Sequence, residues 1–123
     1  MAHRILVVDD SFYMRTILKN ILLDAGYDVI GEAANAESAL EYIREYSPDV
    51  VTLDVILPDN TGLEVLREIR KSNTSLKVVM VSAVGQESVV DEALALGALA
   101  YIIKPFSEEK VQSIMKNVLD QND

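Results

Sequence analysis

The stretch Asp49-Val50-Val51-Thr52-Leu53-Asp54-Val55-Ile56-Leu57-Pro58 decides the fold. A short apolar run rich in Val and Leu, bounded by Pro48 and Pro58, reads as a strand buried on both faces of a sheet. It ends in one carboxylate, Asp54. A charge at the end of a buried strand costs on the order of several kcal/mol unless a cation or partner meets it. Open α/β folds keep their ligands at the carboxyl edge of the parallel sheet, which makes Asp54 the expected centre of a site.

Strand and helix periods alternate outward from this run. Arg4 to Val8 is a first strand ending at Asp9-Asp10. Met14, Ile17, Leu18, Ile21, Leu22 and Ala25 repeat at helical spacing up to Gly26. Tyr27 to Ala33 gives a second, more polar strand. Asn35 is a fair N-cap for a helix with Ala36, Ala39, Leu40 and Ile43 on its apolar face, ending before Pro48. After the third strand and the loop Pro58-Asp59-Asn60, Thr61 and Glu64 fit a capping box for a helix carrying Leu63, Leu66 and Ile69.

Leu76 to Val81 forms a fourth strand ending at Ser82, and Gly85 separates it from a helix with Val90, Ala93 and Leu94, capped by Gly97. Ala100 to Ile103 is a short fifth strand ending at Lys104-Pro105. Ser107 caps a last helix with Val111, Ile114, Met115, Val118 and Leu119, followed by a polar, fraying tail of Gln121, Asn122 and Asp123. Right-handed crossovers between five parallel strands must lay helices on both faces. The expectation is one domain over residues 1–123.

Composition narrows the function. The chain has 123 residues, no cysteine and a formal net charge of -9. There is no thiol metal site or catalytic Cys, and the acidic surface argues against nucleic acid or anionic lipid as a direct partner. No segment approaches the ~18 apolar residues of a membrane span and no signal peptide opens the chain, so a cytoplasmic protein is expected.

Chemistry gathers just after the strands: Asp9 and Asp10 after the first, Asp54 after the third, Ser82 after the fourth, Lys104 after the fifth. The second strand, expected at an edge, offers none. If the strand order is 2-1-3-4-5, an order not read from the chain's periodicity, these ends converge in one crevice. Three neighbouring carboxylates disfavour one another's charge, and two cations can relieve them: Lys104 and a divalent metal. Few carboxylates plus water suit Mg²⁺. A metal, a Lys and a Ser beside a central Asp supply what phosphoryl transfer needs, with Asp54 as nucleophile. Each residue alone also has a plain structural reading as a turn, cap or surface charge; it is their convergence on one edge that speaks for a site.

At these residues the chain resembles the receiver domains of two-component response regulators over essentially its whole length. The signatures are Val7-Val8-Asp9-Asp10, Leu53-Asp54 with Pro58 and Gly62, Ser82-Ala83, and Lys104-Pro105-Phe106. Asp10 to Arg15 and Ser82 to Gln86 look most like stand-alone chemotaxis receivers of the CheY type. The resemblance implies a flavodoxin-like (CheY-like) (βα)5 three-layer sandwich. It also implies that Asp54 accepts a phosphoryl group from a histidine kinase, with Mg²⁺ held by Asp9, Asp10, Asp54 and the backbone carbonyl of Ile56, Asp10 being the more direct ligand. Lys104 would pair with the phosphoryl oxygens, Ser82 would move in to bond them, and Tyr101 would rotate into the space vacated; packing against a helix is the alternative use for that ring. A cis Lys104–Pro105 peptide is also implied. Ile56 and Val84 stand where several relatives carry water-orienting polar residues. Apolar side chains cannot orient water, so a long-lived phospho-Asp54 is expected in the absence of a helper phosphatase.

Lys104 and Ser82 lead into the fourth helix and fifth strand, so the output surface is expected at Glu87 to Leu96, Tyr101 and Lys110 to Met115. With no residues left for an output domain, a monomer signalling to a flagellar or archaellar motor component or an adaptor is expected. An excised receiver domain of a DNA-binding regulator would look the same, and a phosphorelay intermediate is the nearest rival. An aspartate-nucleophile phosphatase would carry a second Asp at position 56, where Ile stands. A nucleotide or flavin module would want a Gly-rich first turn, where Asp9-Asp10-Ser11-Phe12 stands. The single histidine, His3, is expected to be solvated and outside any internal relay. Beyond its own phosphorylation and dephosphorylation, no enzymatic activity is expected.

Overall fold

A computed structural model describes residues 2–72 and 75–120. The tail over 121–123 therefore lies outside the described residues. The elements run β1 (Arg4–Val8), α1 (Phe12–Asp24), β2 (Asp28–Ala33), α2 (Ala36–Tyr46), β3 (Val50–Asp54), α3 (Gly62–Ser72), β4 (Lys77–Ala83), α4 (Glu87–Ala95), β5 (Ala100–Lys104) and α5 (Glu108–Leu119). The sheet is parallel in the order β2-β1-β3-β4-β5.

Strand alternation divides the core into two layers. Leu6, Val8, Val51, Leu53, Val78 and Met80 face α2, α3 and α4. Ile5, Val7, Val50, Val79, Val81 and Ile102 face α1 and α5. β3 is buried at every residue, as a central strand covered on both faces must be.

The helix starts follow local chemistry. Ser11, Asn35 and Ser107 cap α1, α2 and α5 by accepting from Met14, Ser38 and Lys110 N–H. The expected capping box of α3 is half formed. Thr61 Oγ1 accepts from Glu64 N at 3.1 Å. The Glu64 carboxylate instead pairs with Arg67, and Thr61 N donates to Asn60 Oδ1. Leu94, expected on the buried face of α4, is 37% exposed beside Leu99, Tyr101 and Phe106.

Candidate functional site

β3 delivers Asp54 as its last residue, where the carboxylate is only 8% exposed. Its backbone is held from above by Gly62. A Cβ at that position would lie 2.1 Å from the Asp54 carbonyl oxygen, so only glycine lets α3 begin so close. Asp9 follows β1 and is 4% exposed. Each of its carboxylate oxygens has a partner, Oδ1 accepting from Ser11 N at 2.9 Å and Oδ2 meeting Lys104 Nζ at 2.7 Å. Asp10, one residue on, is exposed.

Lys104, the last residue of β5, joins the two buried carboxylates. Its Nζ lies 2.7 Å from Asp9 Oδ2 and 3.0 Å from Asp54 Oδ2. Burial pushes the Asp54 carboxyl above its ordinary value, with Lys104 pulling in the opposite direction. For Lys104, burial works against the charge, but the bonds to Asp9 and Asp54 outweigh it and hold the ammonium above its usual range. Asp9, Asp10 and Asp54 each offer an oxygen, all within 4.8 Å of one another, so one ion could touch all three. Three hard oxygen donors fit a cation such as Mg²⁺. The Ile56–Thr61 bridge forms its rungs through Val55 and Leu57, leaving the Ile56 carbonyl outside the ladder. Ile56 N donates to Asp54 Oδ1 at 3.4 Å.

Ser82 is 2% exposed near the end of β4, and Tyr101 on β5 is 41% exposed. Both line a cavity of about 70 Å³ with Val90 and Ile103. The Lys104–Pro105 peptide is cis. Ile56 and Val84 are 60% and 76% exposed.

β2 is the edge strand expected and its end adds no group to these; its Glu32 accepts from Arg15 Nε at 3.0 Å, while Arg15 also donates to the Asp9 carbonyl at 2.6 Å. One expectation needs correcting. His3 is half-buried beside Tyr27, with ring centroids 6.2 Å apart, just before β1 and so at the opposite end of the sheet from Asp54. The apolar body of the imidazole packs on the phenol. Gly62 stood in the sequence only as a signature residue and Arg15 only as the end of the Asp10 to Arg15 match; the close approach of the one and the bond of the other to the Asp9 carbonyl were not readable there.

Residues 5–116 match the response regulator receiver domain. The chain belongs to this family. The receiver is 41% identical over 120 residues to the chemotaxis protein CheY of Bacillus subtilis, covering 98% of this chain and 100% of that protein. It is 41% identical over 118 residues to CheY of Thermotoga maritima, covering 96% of this chain and 98% of the relative. The crystal structure of the receiver domain of NtrX from Brucella abortus superposes with a TM-score of 0.89 at 35% identity, covering 96% of this chain and 99% of that one. As a receiver domain it is a phosphoacceptor signalling protein, not an enzyme of the ordinary kind.

Proposed function

We propose that residues 1–123 form a single receiver domain that takes a phosphoryl group onto Asp54 from a histidine kinase and in response changes its α4–β5–α5 surface to bind a separate protein, in control of chemotaxis or motility. The observation that carries this is Lys104 Nζ spanning Asp9 and Asp54 beside a third carboxylate at the carboxyl edge of the sheet. The Asp54 carboxylate oxygen attacks phosphorus, the P–N bond of the phosphohistidine breaks, and the imidazole keeps the electron pair. Lys104 then turns from the Asp54 oxygen to the phosphoryl oxygens. Asp9, Asp10, Asp54 and the Ile56 carbonyl would hold Mg²⁺, which, when bound, offsets the negative charge of the phosphoryl group.

Ser82 hydrogen-bonds the phosphoryl group, and Tyr101 turns toward the cavity they share. The output face is α4, β5 and α5, where Leu94, Tyr101, Phe106, Lys110 and Ile114 line a groove of about 730 Å³. The end-to-end match to CheY supports chemotaxis. The apolar rim of Ile56 and Val84 supports a slow loss of the phosphoryl group. Among the described residues, no helix is long and apolar enough to cross a membrane.

Incubation with acetyl phosphate and Mg²⁺ tests the reading by intact-mass measurement. A hydroxylamine-labile gain of one phosphoryl group is expected in the wild type and not in Asp54→Ala. No adduct, or one that survives the substitution, refutes it.

A further inference from the structure

Ala83 closes β4 one residue beyond Ser82. Val81 accepts from Val55 N at 3.0 Å, so Val81 bonds toward β3. Backbone groups alternate sides along a strand, which turns Ser82 toward β5 and Ala83 again toward β3. But β3 has already ended at Asp54, paired with Val81. The Ala83 N–H therefore has no rung to join and faces the space at the end of β3 where Asp54 stands. It is met there by a side chain: Gln86 Oε1 accepts from Ala83 N at 2.7 Å.

Gln86 is also the N-cap residue of α4, and its side chain makes no capping bond to that helix. The caps of α1, α2 and α5 each accept from the first turn they precede. Gln86 instead reaches backward to the strand. Gly85 lies between, with φ of 97°, a conformation that glycine adopts without strain. Ala83 itself is exposed.

We infer that Gln86 is a latch on the site, a deepening of the phosphoacceptor reading that rests on it. Its amide oxygen occupies the Ala83 N–H while Asp54 is bare, and a phosphoryl group or its mimic on Asp54 displaces it. A charged oxygen makes a bond roughly twice as strong as a neutral amide oxygen does, so the exchange runs toward the anion. Glutamine is not among the side chains that favour the cap position and Gln86 makes no cap bond, so its release frees the turn between β4 and α4 from that tie with no bond to replace it. Occupancy of the site is thereby written into the start of the output helix.

The full chain titrated with beryllofluoride in Mg²⁺, followed by amide NMR spectra, tests this with Gln86→Ser. Serine is too short to reach Ala83 N but is a good helix cap, so α4 keeps its start. The variant is expected to bind beryllofluoride about fivefold more tightly, the net worth of the one internal hydrogen bond no longer in competition. In the free variant the Ala83 amide should exchange with solvent faster than in the free wild type, with core strand amides unchanged. Equal or weaker binding, or an Ala83 amide exchanging no faster, overturns the latch while leaving the phosphoacceptor reading standing. A wild type that binds no beryllofluoride overturns both.

Discussion

Asp54 is held against its own electrostatics. Burial raises its proton affinity in the fold, and Lys104 offsets part of that cost. Between the ordinary carboxylate value and the raised one, the folded chain keeps a proton that the unfolded chain has lost. Stability therefore falls as pH rises through that window, and the cost is fully present above the raised value. Asp54→Asn removes the charge and leaves Lys104 its bond to Asp9, so the metal-free variant should melt at a higher temperature than the wild type at pH 7. The gap should narrow as pH drops toward about 4, where the unfolded carboxylate also takes up its proton. Mg²⁺ should raise the wild-type midpoint more than that of the variant, because a cation that binds only the folded state stabilises by mass action. Thermal scans at both pH values check it; equal midpoints at pH 7 would mean that Asp54 carries no such cost.

β2 shows what an element needs beyond its period. Ile5 pairs with Val29 and Leu6 with Gly31, so Ile30 is bulged out of the ladder. Its carbonyl is taken by the Tyr42 hydroxyl from α2. For that ring to lie across β2, position 31 must have no side chain: a Cβ there would meet Tyr42 Cζ at 2.3 Å. Tyr42 is further fixed against Tyr46, with ring centroids 4.4 Å apart. Gly31→Ala should then cost about 1–3 kcal/mol, as overpacking does, and in urea unfolding the loss should shrink when Tyr42→Ala is added. Additive losses would show that the ring is not what excludes the methyl group. The strand itself was legible in the residues, as were the caps Asn35 and Ser107, because period and cap chemistry are local. The bulge, the reach of Asp59 to Ala36 N and Glu37 N, and the backward bond of Gln86 were not, since each depends on where a distant backbone group comes to rest. The candidate site residues could be named because buried strands leave a charged group only at their ends; the pairing of Lys104 with Asp9 needed the sheet order first.

Across the whole molecule, the proposed switch requires one group added at Asp54 to move the α4–β5–α5 surface. Phosphorylation brings roughly -1.5 to -2 charge and three acceptor oxygens. The groups placed to answer are Lys104 and Ser82, the one at the end of β5 and the other at the last-but-one position of β4. Turning a resting 1:99 population to 99:1 takes about 5.5 kcal/mol of differential interaction. Two charge-assisted hydrogen bonds at about 1.5–3 kcal/mol each come close to that, so switching is expected to be near completion and not total. Removing one of them is decisive. Ser82→Ala leaves Lys104 alone, and from the same resting ratio its share lifts the active population only to between about a tenth and somewhat over a half. The Tyr101 ring, 41% exposed at rest and bordering the cavity beneath Ser82, is the reporter. With beryllofluoride saturating Asp54, its resonances in the variant should lie well short of the wild-type shift while the mimic still binds. A full shift in Ser82→Ala would place the switching energy elsewhere, in Lys104 or at the start of α4.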